Sequence, residues 1–410
     1  MNCRWAIEAK LANRVSSREK QPPISKLGGA LPRTVVILGL VSLLNDAASE
    51  MITPLLPIFL TVTLGAGPAI VGFVEGLAEA TASILKLVSG RLADRGVSAK
   101  GLVIGGYSLS NVTRPLVGLA AGWTIVLLLR FLDRVGKGLR TAPRDAFIAA
   151  ATDPGSRGRA FGFHRSMDHA GAVIGPLLAF GLLAAQVELQ HVFLASALPG
   201  VLVILLLVFG LPAHHAPVQT APQRFRWSAL HGRLRAIIVA AGLLALASVP
   251  EVFVVLWATE AGMSVTWVPL VWAAASLAKM AIAMPAGVLS DRLGRVPLLL
   301  GGWSARVAVL LLLAFAEPGV VGVWVLFIAY SASLAVTEPA ERSLIGDHAA
   351  ASERGTAYGL YHLTGGLLVL PGAVLFGGLW QVFGSATAFA AAAAVTVLAA
   401  VVLIWLARPT

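Results

Sequence analysis

Apolar runs of about twenty residues, separated by short polar connections, fill the chain from Thr34 to its end. That is the length a helix needs to cross the hydrocarbon of a bilayer. The pattern predicts twelve such helices, near 34–63, 69–93, 101–120, 122–147, 159–186, 191–211, 233–259, 264–289, 297–316, 319–345, 356–381 and 384–407. Connections near 64–68, 121, 187–190, 260–263, 317–318 and 382–383 carry no Lys or Arg. The opposite set holds Arg95, Lys100, Arg157, Arg224, Arg226, Arg292, Arg295 and Arg354. Cationic connections stay on the cytoplasmic side, so both termini are expected there, in a plasma (cell inner) membrane.

The longest polar connection, Leu211 to Arg233, divides the chain into halves, and a shift of 197 residues superimposes them. GRLADR at 90–95 falls on GVLSDR at 287–292, RGRAFGFHR at 157–165 falls on RGTAYGLYH at 354–362, and Gly175 falls on Gly372. Matches at one offset mark an internal repeat. The predicted fold is all-α and polytopic, with two pseudo-symmetric six-helix bundles at 34–211 and 233–410. A cytoplasmic tail at 1–33 precedes them, and a cytoplasmic loop at 212–232 joins them. Parallel repeats of this kind frame a central substrate site in secondary transporters.

Composition agrees, with 57% hydrophobic and 12% charged residues, about half the charge that a soluble surface of this size carries. The net charge of +11 follows from the cationic connections and tail, so nucleic acid is not an expected partner. Residues 1 to 33 hold seven Lys or Arg and no continuous apolar core, unlike a cleavable signal. Cys3 is the single cysteine, which excludes an intrachain disulfide and a Cys-based metal site. With no nucleophile elbow, no H-E-x-x-H and no glycine-rich phosphate loop, neither an enzyme nor a cofactor is expected.

Charges inside the predicted spans are the candidate chemistry, because a charge in hydrocarbon costs several kcal/mol. Asp46 and Glu50 lie four apart on one face of the first helix, about 18 Å from its start and near the bilayer centre. Asp46 is the expected proton carrier. On the second helix Glu75, Glu79 and Lys86 share a face, with Glu75 expected near the outer mouth and solvated. A stripe on the fourth contains Arg130, Asp133, Arg134, Lys137 and Arg144, and Arg140 and Arg144 with Asp145 read as gating groups near the inner surface. The fifth carries HRSMDH, which pairs His164 with Asp168 and Arg165 with His169 at a spacing of four. Histidine titrates near neutral pH, so this cluster suits a proton relay. With Asp46 and Glu50 its donors would also suit nickel, cobalt or zinc, although no dedicated metal site is assigned. Arg114 has no sequence partner and is expected to bridge to Asp46 or Asp168. From the second half Lys279, Glu338 and His362 are expected at the cavity, so that the first half handles protons and the second shapes the substrate space.

Three motifs resemble the major facilitator superfamily of secondary transporters, from about Thr34 onward. Its G-x-x-x-D-R-x-G-R loop is matched by Gly287, Asp291, Arg292, Gly294 and Arg295, and in part by Gly90, Asp94 and Arg95. The resemblance implies a latch between the halves at Asp94. RFLDRVGKG at 130–138 is similar to R-F-L-x-G-x-G-x-G, with Arg134 at the first glycine, which implies a buried Arg130 linked to proton movement. Gly162, Gly171, Gly175 and Pro176 resemble the antiporter motif, with Ala179 at its last glycine. The resemblance therefore implies alternating access and proton-coupled efflux of a small molecule or ion by a single chain. Proton-coupled symport of a small organic anion, divalent-metal export and a non-transporting receptor or scaffold are the alternatives.

Overall fold

A computed structural model describes residues 31–94, 97–152, 157–211, 232–348 and 354–407. Residues 1–30, most of the central loop and Arg95 lie outside the described residues, as do the side chains of Asp94 and His362 and the surroundings of Gly90. Described residues form helices and no strands: α1 Arg33–Ile52, α2 Pro68–Asp94, α3 Ala99–Leu116, α4 Trp123–Ala150, α5 Arg157–Ala184 and α6 Leu189–Gly210, then α7 Gly232–Ala247, α8 Val268–Leu293, α9 Arg295–Phe315, α10 Val320–His348, α11 Arg354–Phe383 and α12 Ser385–Ala407. Ten described segments are long and apolar enough to cross a membrane, and α3 and α4 are not among them. Charge is the reason for α4. Its 28 residues span about 42 Å, but its length from Arg130 to Asp145 is studded with ions. Packed against α2 and α3, it turns Ile125, Leu128 and Phe131 outward and buries Arg130, Asp133, Arg134 and Arg140. Apolar outside and charged inside is the arrangement hydrocarbon selects.

Besides α6, which is stepped at Ser196 between Leu189–Ala195 and Ala197–Gly210, two expected helices are interrupted at prolines. After Ile52 the chain, with Pro54 and Pro57, continues through the short helix Leu56–Ile58 and a π-turn Phe59–Thr63. Residues 233–259 are not one helix, because Pro250 cannot donate an amide. α7 stops at Ala247 and a second piece, Glu251–Glu260, begins after Pro250. The Val249 carbonyl freed by the break accepts the Tyr330 hydroxyl at 2.5 Å. Irregular backbone at membrane depth is tolerated where protein satisfies it in this way.

Packing between the halves runs mainly along α2 with α11 and α5 with α8, two pairs that the internal repeat interchanges. One large apolar cluster draws on both halves at the end whose connections lack Lys and Arg, from Phe59, Val71 and Phe193 to Phe253, Trp257, Phe376 and Trp380. The Phe253, Phe376, Trp380 and Phe389 rings stack with centroids 4.7–5.9 Å apart. At the other end the described apolar clusters belong to one half each, around Leu38, Val103 and Leu207 in the first and around Leu299, Trp303 and Leu344 in the second. The two bundles are thus welded at one mouth and, among the described residues, share no apolar cluster at the other.

Close backbone approach makes the weld. A Cβ at Gly72 of α2 would overlap the Ala373 carbonyl of α11. Gly72→Val is expected to cost about 1–3 kcal/mol of overpacking, read as a lower melting temperature of the purified protein. Gly105→Val, where a Cβ meets nothing within 4 Å, is the control and should melt like the parent.

Candidate functional site

The charged faces of α1, α2, α3, α4 and α5 surround a cavity of about 920 Å³ that runs from Asn45 and Glu50 to Arg144 and Phe161, with Leu363 of α11 on its far side. A second lobe of about 750 Å³ extends from Glu50, Arg165 and His169 to Glu251, Trp272, Lys279 and Glu338. A third, about 340 Å³, is bounded by Glu79, Lys86, Arg306, Glu338 and Glu341. Shared wall residues join them: Glu50 and Arg165 border the first two, and Ser83 and Lys86 the first and third.

Asp46 and Glu50 face the main lobe because α5 lets α1 come close. A Cβ at Gly171 would overlap the Leu43 carbonyl and crowd Asp46, and one at Gly175 would overlap the Ala47 carbonyl and crowd Glu50. These two glycines of the antiporter-like motif therefore set the depth of both carboxylates. Gly162, where a Cβ meets nothing within 4 Å, has no such role and only lines the cavity. Pro176 lies inside α5. The repeat recurs in the second half, where a Cβ at Gly372 of α11 would press on the Leu246 carbonyl. Asp46 accepts a bond from Asn45 at 3.0 Å and lies within electrostatic reach of Asp168, Arg140 and Lys137. Glu50 accepts the indole N–H of Trp272 at 2.9 Å, a bond from α1 of one half to α8 of the other.

Beneath the cavity wall is an ion network. Buried Asp133 takes Arg114 Nε at 2.9 Å, Arg134 Nε at 3.5 Å and an Arg130 terminal nitrogen at 3.6 Å. Arg114 also donates to the backbone and side-chain oxygens of Asn45, at 3.1 and 3.0 Å. Arg130 grips both carboxylate oxygens of Glu75, at 2.9 and 3.2 Å. Arg140 donates to Ser110 at 2.6 Å and lies 4.4 Å over the Tyr107 ring.

Several expectations change here. Arg114 pairs with Asp133 rather than with Asp46 or Asp168, because α3 packs on α4. Glu75 is no solvated mouth residue: its side chain is 15% exposed and holds Arg130. Arg130 and Asp133 are not among the residues lining the three lobes and form its support. His164 pairs with Asp168 at 3.6 Å as the spacing implies, but Arg165 also turns to Asp168, at 3.5 Å, rather than to His169. Ser42 of α1 donates to the same carboxylate. No group of three His, Cys, Asp or Glu among the described residues is placed to hold a metal ion. His169, Lys279 and Glu338 line the second lobe, and Glu79 and Glu338 the third.

The chain's pattern gave Glu251 no role among the second-half charges and left Trp272, like Trp257, Tyr330 and Trp380, open between a substrate-site aromatic and a packing residue. Glu251 follows the α7 break and accepts Lys279 at 2.8 Å and the Ser331 hydroxyl at 2.5 Å; Pro250 immediately before it was the available signal. In the second copy of the loop motif Arg295 bridges Asp291 and, at 3.2 Å, Asp347 of α10. Arg292 is exposed, and a Cβ at Gly287 would meet only Pro339, at 3.9 Å.

The family model of the Major Facilitator Superfamily matches residues 38–283 and 236–410. An uncharacterized MFS-type transporter of Methanocaldococcus jannaschii is 30% identical over 361 residues, covering 86% of this chain and 89% of that protein. Multidrug resistance protein MdtH of Aeromonas hydrophila is 27% identical over 333 residues, covering 80% and 82%. Among solved structures, the nucleoside transporter NupG superposes with a TM-score of 0.77 at 15% identity, over 92% of this chain and all of the other. An inward-facing, occupied bacterial homolog of the lysosomal transporter Spinster gives 0.72 at 17%, over 92% and 96%. At such identities the structures share the fold. Two helical bundles around a charged cavity, in a chain that the family model matches almost end to end, make this protein a multi-pass membrane transporter of the Major Facilitator Superfamily and not an enzyme.

Proposed function

We propose that the chain is a proton-coupled exporter, exchanging protons for a small solute by alternating access through twelve membrane crossings, with both termini cytoplasmic. Residues 34–211 and 233–410 are its two moving halves, and one chain encloses the whole pathway. The observation that carries the reading is the Glu50–Trp272 bond. A titratable carboxylate in the cavity wall accepts a hydrogen bond across the halves, and such a bond is about twice as strong when the acceptor is ionised. Proton binding to the Asp46 and Glu50 face therefore changes how tightly the halves hold each other, which is the differential interaction that coupling requires. His164 and Asp168, beside Asp46 on α5, provide the next stage of the relay. The bias of Lys and Arg between connections supports a cytoplasmic position for the end at which the described apolar clusters stay within one half. The printed name of MdtH, a multidrug resistance protein, favours export.

Trp272→Phe keeps the ring and deletes the donor. Loss of a bond to a charged group, worth about 1.5–3 kcal/mol, is expected to slow exchange about tenfold or more and to lower the melting temperature about as much as Gly72→Val does. The exchange itself is tested in proteoliposomes holding a pH dye, with solute gradients imposed from a panel of organic anions, cationic drugs and divalent metals. Protons moving against the solute support the reading. Protons moving with it would replace export by symport.

A further inference from the structure

α2 and α4 meet at Gly138, where a Cβ would overlap Leu85 and lie 3.2 Å from the Ala82 carbonyl. One turn on, the Ser89 hydroxyl donates to the Gly138 carbonyl at 2.8 Å. This contact brings Lys86 of α2 and Lys137 of α4 to the same level of the main cavity, and both line it. Each lies in the other's electrostatic field, with Arg134 adding to the positive charge on Lys137.

Other cations of this wall have carboxylate partners, except Arg140, which makes no ion pair among the described residues but donates to Ser110 and lies over the Tyr107 ring. Arg114 and Arg134 are held by Asp133, Arg144 by Asp145 at 2.9 Å, and Arg165 by Asp168. Lys86 and Lys137 make no ion pair within 4 Å with any described residue. Glu79, along the same face of α2, makes no ion pair within 4 Å with either, although both lysines lie in its electrostatic field. Two half-buried ammonium groups within electrostatic reach of each other repel, and Glu79 offsets that repulsion without contacting either. Lys is a strongly hydrated point charge suited to gripping an oxyanion.

We propose that Lys86 and Lys137 form an oxyanion clamp, and that the solute carried through this cavity is a small organic anion bound by its phosphate or carboxylate group. The inference rests on the export reading for direction alone. A cavity of about 920 Å³ is at the upper end of the range that holds metabolite- and drug-sized ligands, so the solute is larger than a bare inorganic ion. Anion export also fits the electrical gradient. Each negative charge leaving a negative interior releases about 2.3 kcal/mol per 100 mV, and an entering proton adds its own share.

The test uses the full chain in detergent, titrated with citrate, with glycerol 3-phosphate, with sulfate and with tetraphenylphosphonium, and read as melting temperature. Citrate or glycerol 3-phosphate is expected to raise the melting temperature with saturation; which of the two does so separates the carboxylate from the phosphate form. Lys86→Gln and Lys137→Gln are expected to melt higher than the parent without ligand, because repulsion is relieved, and to bind the anion at least tenfold more weakly. Lys137→Arg keeps the response. That opposite pair of shifts separates a clamp from a merely structural lysine and from a variant that fails to fold. Stabilisation by tetraphenylphosphonium alone, by sulfate alone, or by an anion whose effect survives both Gln variants overturns the clamp. Lysine-dependent anion binding without proton movement in proteoliposomes leaves the clamp standing and removes the export reading. Proton-coupled flux of tetraphenylphosphonium without any anion response does the reverse.

Discussion

Replacement of Asp133 by Asn is expected to destabilise the protein by about 3–5 kcal/mol, the usual result of removing one partner from a buried ion pair. Asp133 is 2% exposed and is shared by Arg114, Arg130 and Arg134. Asn preserves shape and can still accept from the Nε of Arg114, so what is lost is charge. Arg130 keeps Glu75, but Arg114 and Arg134 are left without a carboxylate in the core of the first half. The purified variant should melt well below the parent and reach the membrane in lower amount. Arg134→Gln is the matched control. It removes one of three cations from an over-subscribed carboxylate, and its Nε is buried without a hydrogen bond among the described residues; its melting temperature should fall little. If Asp133→Asn melts with the parent, the network is not what holds α3 against α4.

The second large effect is functional. Asp46→Asn is expected to abolish proton movement driven by a solute gradient in proteoliposomes while leaving the fold intact. The side chain sits in the cavity wall, and Asn remains able to meet the Asn45 amide through its own carbonyl oxygen. The substitution removes a titratable site and leaves its volume unchanged. Solute binding, measured by thermal shift, should persist, because the groups proposed to hold the solute are on α2 and α4. Loss of both flux and binding would make Asp46 a substrate contact. Undiminished proton flux would move the relay to His164 and Asp168, whose contact at 3.6 Å is its other ionisable pair. Asp168→Asn in the same assay decides between those sites.

A membrane protein reveals its class in its sequence, because the bilayer acts on each span separately. Apolar length, the bias of Lys and Arg between connections and the 197-residue repeat are local or periodic quantities, and apolar length was sufficient for the helical membrane class, while three short motifs carried the superfamily. Spacing within one helix was legible too: Asp46 with Glu50, and His164 with Asp168, share faces as 3.6 residues per turn requires. What no spacing contains is which face meets which neighbour. Arg114 finding Asp133, Glu75 closing on Arg130 and Glu50 reaching Trp272 each depend on the register of one helix against another. That register is set by close approaches such as Gly138 on Leu85 and Gly175 on Ala47. A charge count alone made α4 look like a stripe of cavity residues. Tertiary packing sorted that stripe into a buried support at Arg130 and Asp133, a cavity-lining Arg134 that still reaches Asp133, and a Lys137 with no carboxylate in contact among the described residues, because ions pair only where the fold brings them within reach.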